Sequence, residues 1–145
     1  MKYSRVYFED VQVGDEIPSL VKGPVQQIQL TRYAGASGDF NPIHQDDEFA
    51  KAAGMGGVFG HGMLTMGFVA QAVTDWAGAG RVRRIGVRFT GLVRLEDVIT
   101  CRGRILGKSS KDDVNLIDLE IWAENQKGEK VVTGKATVAV PSREP

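Results

Sequence analysis

A single cysteine, Cys101, stands in 145 residues. That excludes a disulfide framework and any multi-cysteine metal cage, and it suits a reducing, cytoplasmic setting. No apolar run reaches the roughly 18 residues a membrane-spanning helix needs. The opening Met1-Lys2-Tyr3-Ser4-Arg5 lacks the apolar stretch of a signal peptide. Net charge is missing too: 18 basic and 18 acidic residues cancel, which argues against a general nucleic-acid binder. There is no internal repeat and no low-complexity tract. With 42% apolar and 25% charged residues, the composition is that of an ordinary globular chain rather than a disordered one. Only two histidines are present, His44 and His61, so imidazole chemistry has just two addresses.

The length suits one domain, 1–145, able to bury about 70% of the surface its unfolded chain exposes. The zero charge hides a pattern: residues 81–111 carry 9 basic and 2 acidic side chains in an otherwise acidic chain. On strands, Arg84 and Arg88 share one face, and Arg102 and Arg104 share another. Two readings fit: a solvated sheet face that discourages edge pairing, or an attractive surface for an anionic carrier such as coenzyme A phosphates or an acidic carrier protein.

Gly14-Asp15 and Gly23-Pro24 punctuate the first 25 residues as turns. Val25 to Leu30 reads as a short strand, with Thr31 as N-cap of a helix through Ala36. Residues 37–45 read as a loop. Asp46 is placed to cap a helix ending near Ala53, stopped by Gly54. From Met63 to Trp76 the chain is apolar almost all round, the mark of a buried central helix. Period-two alternation then begins at Ile85, Val87 and Phe89, and further strands follow at 98–107, 114–124 and 131–140. One buried helix followed by four consecutive strands is an α+β outline: an antiparallel sheet wrapped around a helix.

The chemistry-bearing residues cluster ahead of that helix. Asp39 and His44 are separated by Asn41-Pro42, which breaks regular structure. A bend there brings carboxylate and imidazole to one cavity as a general acid–base pair. The bland alternative makes Asp39 a turn cap and His44 a satisfied loop residue. His61-Gly62 falls where the buried helix begins, where the first N–H groups lack internal partners and the dipole is positive. Glycine there admits close approach of a ligand, a natural oxyanion hole; alternatively Gly62 only permits tight packing and His61 is a cap or a structural residue. The glycine-rich run 54–62 lacks the Gly-Lys-Ser/Thr of a phosphate loop. His44, His61 and an aspartate are metal-ligand types, but their spacing matches no metal motif. Cys101 falls in a strand as packing, and Met63 and Met66 read as core.

The stretch from Tyr33 to His44, with Gly38-Asp39-Phe40-Asn41-Pro42-Ile43-His44 at its heart, followed by Gly60-His61-Gly62-Met63, resembles the hydratase motif of MaoC-like dehydratases. These comprise (R)-specific enoyl-thioester hydratases and 3-hydroxyacyl carrier-protein dehydratases. The likeness spans nearly the whole chain, including Phe8 to Asp15 and Val87-Arg88-Phe89-Thr90-Gly91. It departs from many relatives at Val58-Phe59-Gly60, Leu92-Val93 and Leu95-Glu96-Asp97. The resemblance implies a hot dog fold that pairs sheet edge to sheet edge, as a homodimer or with a second hot dog subunit. It implies reversible hydration of trans-2-enoyl thioesters to (R)-3-hydroxyacyl thioesters, with Asp39 and His44 as the acid–base pair and the Gly62 N–H polarising the thioester carbonyl. Ser37, Asn41 and His61 are the supporting candidates. No metal and no cofactor are implied beyond the coenzyme A or acyl carrier protein of the substrate. The alternatives are the catalytic subunit of a heterodimeric dehydratase acting on carrier-protein-bound or steroid-side-chain thioesters, a hot dog thioesterase, and a non-catalytic binder of acyl carriers.

Overall fold

The computed structural model describes residues 6–143. The N-terminal stretch of residues 1–5, read above as lacking a signal peptide, lies outside the described residues. Three helices and five strands follow one another: β1 (Leu20–Lys22), α1 (Gln27–Ser37), α2 (Asp47–Ala52), α3 (Gly62–Ala77), β2 (Val82–Phe89), β3 (Ile99–Lys111), β4 (Val114–Glu124) and β5 (Lys130–Val140). The strands form one antiparallel sheet in the order β1-β3-β4-β5-β2. The expected wrapped sheet is therefore present, and β2 is one of its two edges. No helix among the described residues is long and apolar enough to cross a membrane.

Strand alternation puts Ile99, Cys101 and Ile105, then Ile117, Leu119 and Ile121, then Ala136 and Val138 on the inner face. Against them α3 lays Phe68, Val69, Ala72, Val73 and Trp76, at the three- and four-residue spacing of one helical stripe. Full burial of each such valine or phenylalanine contributes about 1.5–3 kcal/mol. Closing β2 onto β5 needs Gly134 opposite Val87: a Cβ there would lie 2.1 Å from the Gly86 carbonyl oxygen.

Three expectations need correction. The strand read at Val25–Leu30 is instead a non-helical Val25, the N-cap Gln26 and the first residues of α1. Val25 pairs its backbone with Glu96 and Asp97, and Leu30 and Ala34 then bury one helical face. Thr31 is not a cap but a mid-helix residue whose hydroxyl donates back to the Gln27 carbonyl at 3.1 Å. Third, α3 is not buried all round. Met63 is 56% exposed, and Gly67 is exposed with Met66 half-buried, because a single sheet covers only one side of the helix. The Asp46 cap stands: its carboxylate accepts from the Phe49 N–H at 3.0 Å.

The basic run divides. Arg102 pairs with Glu124 at 2.9 Å and Arg104 with Glu16 at 3.4 Å, so that face is neutralised locally. Arg84 and Arg88 are exposed on β2 and make no ion pair among the described residues.

Candidate active site

The loop from Ser37 to His44 is shaped by its own short polar side chains. The Ser37 hydroxyl donates to the Tyr33 carbonyl at 2.7 Å and accepts from the Asp39 N–H. Asp39 Oδ1 accepts from the Asn41 N–H, and Asn41 Oδ1 from the Ile43 N–H, each at 3.2 Å. Two successive side-chain turns thus bend the chain into a single 3₁₀ turn, Pro42–His44. The Gln27 amide, in the first turn of α1, donates to the His44 carbonyl at 2.9 Å and to Gln45 Oε1, while the Thr31 hydroxyl also reaches Gln45 Oε1. Gln27, Thr31 and Gln45 were not foreseen. They became visible only once residues 27–30 proved helical, which sets Gln27 and Thr31 one turn apart.

The bend brings Asp39 and His44 together. His44 is buried, while the Asp39 side chain is 49% exposed at the mouth of the site. His44 Nδ1 lies 2.7 Å from the Phe59 carbonyl oxygen. A carbonyl only accepts, so Nδ1 carries the hydrogen and Nε2 presents its lone pair. That Nε2 faces Asp39 Oδ2 across 3.9 Å.

His61 lies against this pair. Its ring stacks on His44, centroids 4.0 Å apart and planes 28° from parallel, and meets the Tyr33 ring edge-on. His61 Nε2 donates to the Asp39 backbone carbonyl at 3.1 Å, so this ring holds the opposite tautomer from His44. Its Nδ1 is buried without a hydrogen-bond partner. Burial holds the His61 pKa below the ordinary histidine value, with the neighbouring His44 a lesser contribution in the same direction; the Asp39 carbonyl and the Asp39 charge work against them.

His61 is also the N-cap position of α3, yet its side chain caps nothing. The helix therefore starts at Gly62 with N–H groups free of any side-chain cap. A Cβ on Gly62 would meet the Phe89 ring at 3.1 Å, so glycine lets β2 close over the helix start. A narrow, mostly apolar cavity of about 100 Å³ opens there, lined by Phe59, Gly62, Thr65, Phe89, Val93 and Val132 among others.

Asp39, His44 and His61 bring metal-ligand-type atoms within 4.8 Å of one another. One nitrogen of each ring is held by a main-chain carbonyl, that of Phe59 for His44 and that of Asp39 for His61, which leaves one nitrogen on each ring unused by those bonds.

A family profile described as "MaoC like domain" matches residues 10–125. The chain belongs to the MaoC-like domain family. A protein named (R)-specific enoyl-CoA hydratase from Rhodospirillum rubrum is 29% identical over 139 residues, spanning 94% of this chain and 93% of its own length. The unliganded R-hydratase PhaJ1 of Pseudomonas aeruginosa superposes with a TM-score of 0.84 at 26% identity, over 96% of this chain and 88% of that one. A chain of the ChsH1–ChsH2 complex of Mycobacterium tuberculosis superposes with a TM-score of 0.77 at 26% identity, over 89% and 98%. This MaoC-like chain therefore has the hot dog fold, the sheet wrapping α3.

Proposed function

We propose that this MaoC-like chain is a hydro-lyase that reversibly adds water across trans-2-enoyl thioesters, giving (R)-3-hydroxyacyl thioesters. The observation that carries the reading is the 3.9 Å gap between His44 Nε2 and Asp39 Oδ2, beside the uncapped start of α3. The gap is too long for a direct hydrogen bond and suits one bridging oxygen. A water there donates one hydrogen bond to each side chain and turns a lone pair toward Cβ. As oxygen bonds Cβ, the pair takes one proton from the water and delivers one proton to Cα; hydrogen and hydroxyl are added and both side chains return to their starting state. The pair acts as one coupled titrating unit. The Gly62 N–H, at the positive end of α3, stabilises charge growing on the thioester oxygen. Ser37 and Asn41 hold the Asp39 bend, and His61 holds the Asp39 carbonyl. The thioester itself acidifies Cα, so coenzyme A or a carrier protein enters only as part of the substrate.

Pairing belongs to the same reading. Edge strand β2 leaves one side of its backbone ladder open, and exposed Met63 and Phe89 lie at the helix start that it covers. These support docking of a second hot dog subunit, whether a copy of this chain or a different one. A cytoplasmic setting fits the one unpaired cysteine, Cys101.

The test is a panel of enoyl-coenzyme A thioesters of graded length, followed by loss of enoyl absorbance and chiral analysis of the product. An (R)-3-hydroxyacyl product supports the assignment. Free thiol instead of hydration identifies a thioesterase, and binding without turnover identifies a carrier-binding module.

A further inference from the structure

The glycine-rich run ahead of α3 presents the Phe59 carbonyl to His44, yet it is a poor support by composition. Gly54, Gly56 and Gly57 all have positive φ, at 78°, 75° and 133°, and glycine gives a loop no side chains with which to anchor itself. The anchoring comes from outside. Arg94, in the connection between β2 and β3, donates from Nη1 to the Gly57 carbonyl at 2.9 Å and from Nη2 to the Met55 carbonyl at 2.5 Å. Its own backbone forms an isolated bridge with Phe59, and the Gly60 N–H donates to the Val93 carbonyl at 2.7 Å. From the other side Asp47 accepts from the Val58 N–H at 3.1 Å.

Arg94 is itself fixed. Its N–H donates to Oδ2 of buried Asp97 at 2.8 Å, and Asp97 Oδ1 accepts from Gln126 at 2.8 Å. Its guanidinium makes no ion pair among the described residues; both hydrogen bonds it forms there go to loop carbonyls.

We infer that Arg94 is a positioning residue for the acid–base pair: it clamps the carbonyls of Met55 and Gly57 so that the Phe59 carbonyl stays on His44 Nδ1, which keeps the Nε2 lone pair facing Asp39. The planar two-pronged guanidinium spans two carbonyls at once, which a single ammonium does not do in a fixed geometry. The catalytic meaning of the clamp rests on the hydratase reading; its structural meaning does not.

Two measurements test this. In Arg94→Leu the stem is kept and the donors are lost. We expect kcat on an enoyl-coenzyme A to fall about 10²-fold, the scale of a small misplacement at a reacting group, with KM changed less than threefold. Arg94→Lys should recover part of the loss. Nitrogen NMR of the imidazoles, without substrate, should show His44 hydrogen on Nδ1 in the wild type and a shift of population to Nε2 in Arg94→Leu. If His44 keeps its tautomer in the variant, or if kcat is unchanged, the inference is overturned. If Arg94→Leu does not fold, Arg94→Lys and Arg94→Gln decide by the same spectrum. Should the hydratase reading itself fail, no form of the protein turns over substrate, while the tautomer shift still tests the clamp.

Discussion

His44 Nε2 stops 3.9 Å short of Asp39 Oδ2. One atom is held by a buried ring, the other by a half-exposed carboxylate on a tightly turned loop. Behind each lies a further contact, from His44 Nδ1 to the Phe59 carbonyl and from the Asn41 N–H to Asp39 Oδ1. Asp39→Asn and His44→Gln should each lower hydration of crotonyl-coenzyme A by about 10² or more, the usual cost of losing an acid–base group. Unfolding midpoints should stay near wild type. Two near-wild-type rates would remove both residues from the mechanism.

The start of α3 permits a controlled test of the oxyanion role. Proline is well tolerated at the first helical position, and His61 has φ −58° and ψ 131°, an extended conformation that suits the residue before proline. Gly62→Pro removes the N–H; Gly62→Ala keeps it while adding a Cβ against Phe89. Relative to Gly62→Ala, the proline variant should lose about 10²–10³ in kcat/KM. Equal rates for the two would mean that the amide does not touch the reacting oxygen.

His61 sets a pH dependence of stability. Its folded pKa lies below the ordinary value of 6.5 because burial disfavours the charged ring. The unfolded chain therefore binds a proton more readily than the folded one as pH falls through that value. Stability is full above it and declines below, levelling only once the folded ring also protonates. Urea midpoints should drop between pH 7.5 and pH 5.5, and His61→Gln should flatten that difference. An unchanged slope would show that His61 is not protonated on unfolding.

Cys101 is fully buried in β3, and desolvation pushes its thiol up to about 12. The thiolate is the reactive form. A disulfide reagent at pH 8 should label the unfolded chain within seconds and the native chain only at the rate at which the fold opens. Fast labelling of native protein would contradict this burial.

Period-two alternation and a long apolar run are strong signals, and they marked β2 to β5 and α3 directly from residues such as Ile85, Val87 and Phe68. The first turn of α1, ahead of the helix read from Thr31 to Ala36, was hidden because Val25, Ile28 and Leu30 mimic a strand, whereas Val25 pairs its backbone with Glu96 and Asp97. The exposed side of α3 was hidden for a different reason: apolar residues run almost all round the helix, yet the sheet covers only one side of it. In the candidate site, Asp39, His44 and Gly62 were singled out by residue type and position, and Ser37, Asn41 and His61 as supporting residues through the family resemblance. Gln27, Gln45 and Arg94 were not, because their role is to hold carbonyls of residues distant in sequence. Such contacts leave no periodic or spacing signature.

Both histidines are steered by main-chain oxygens, His44 by that of Phe59 and His61 by that of Asp39. Phe59 also meets the His44 ring edge-on with its own, centroids 4.9 Å apart, so the main chain and the side chain of one residue fix the same imidazole. Phe59 also lines the neighbouring cavity, so any exchange there that reshapes the cavity wall also strips a support from the histidine behind it.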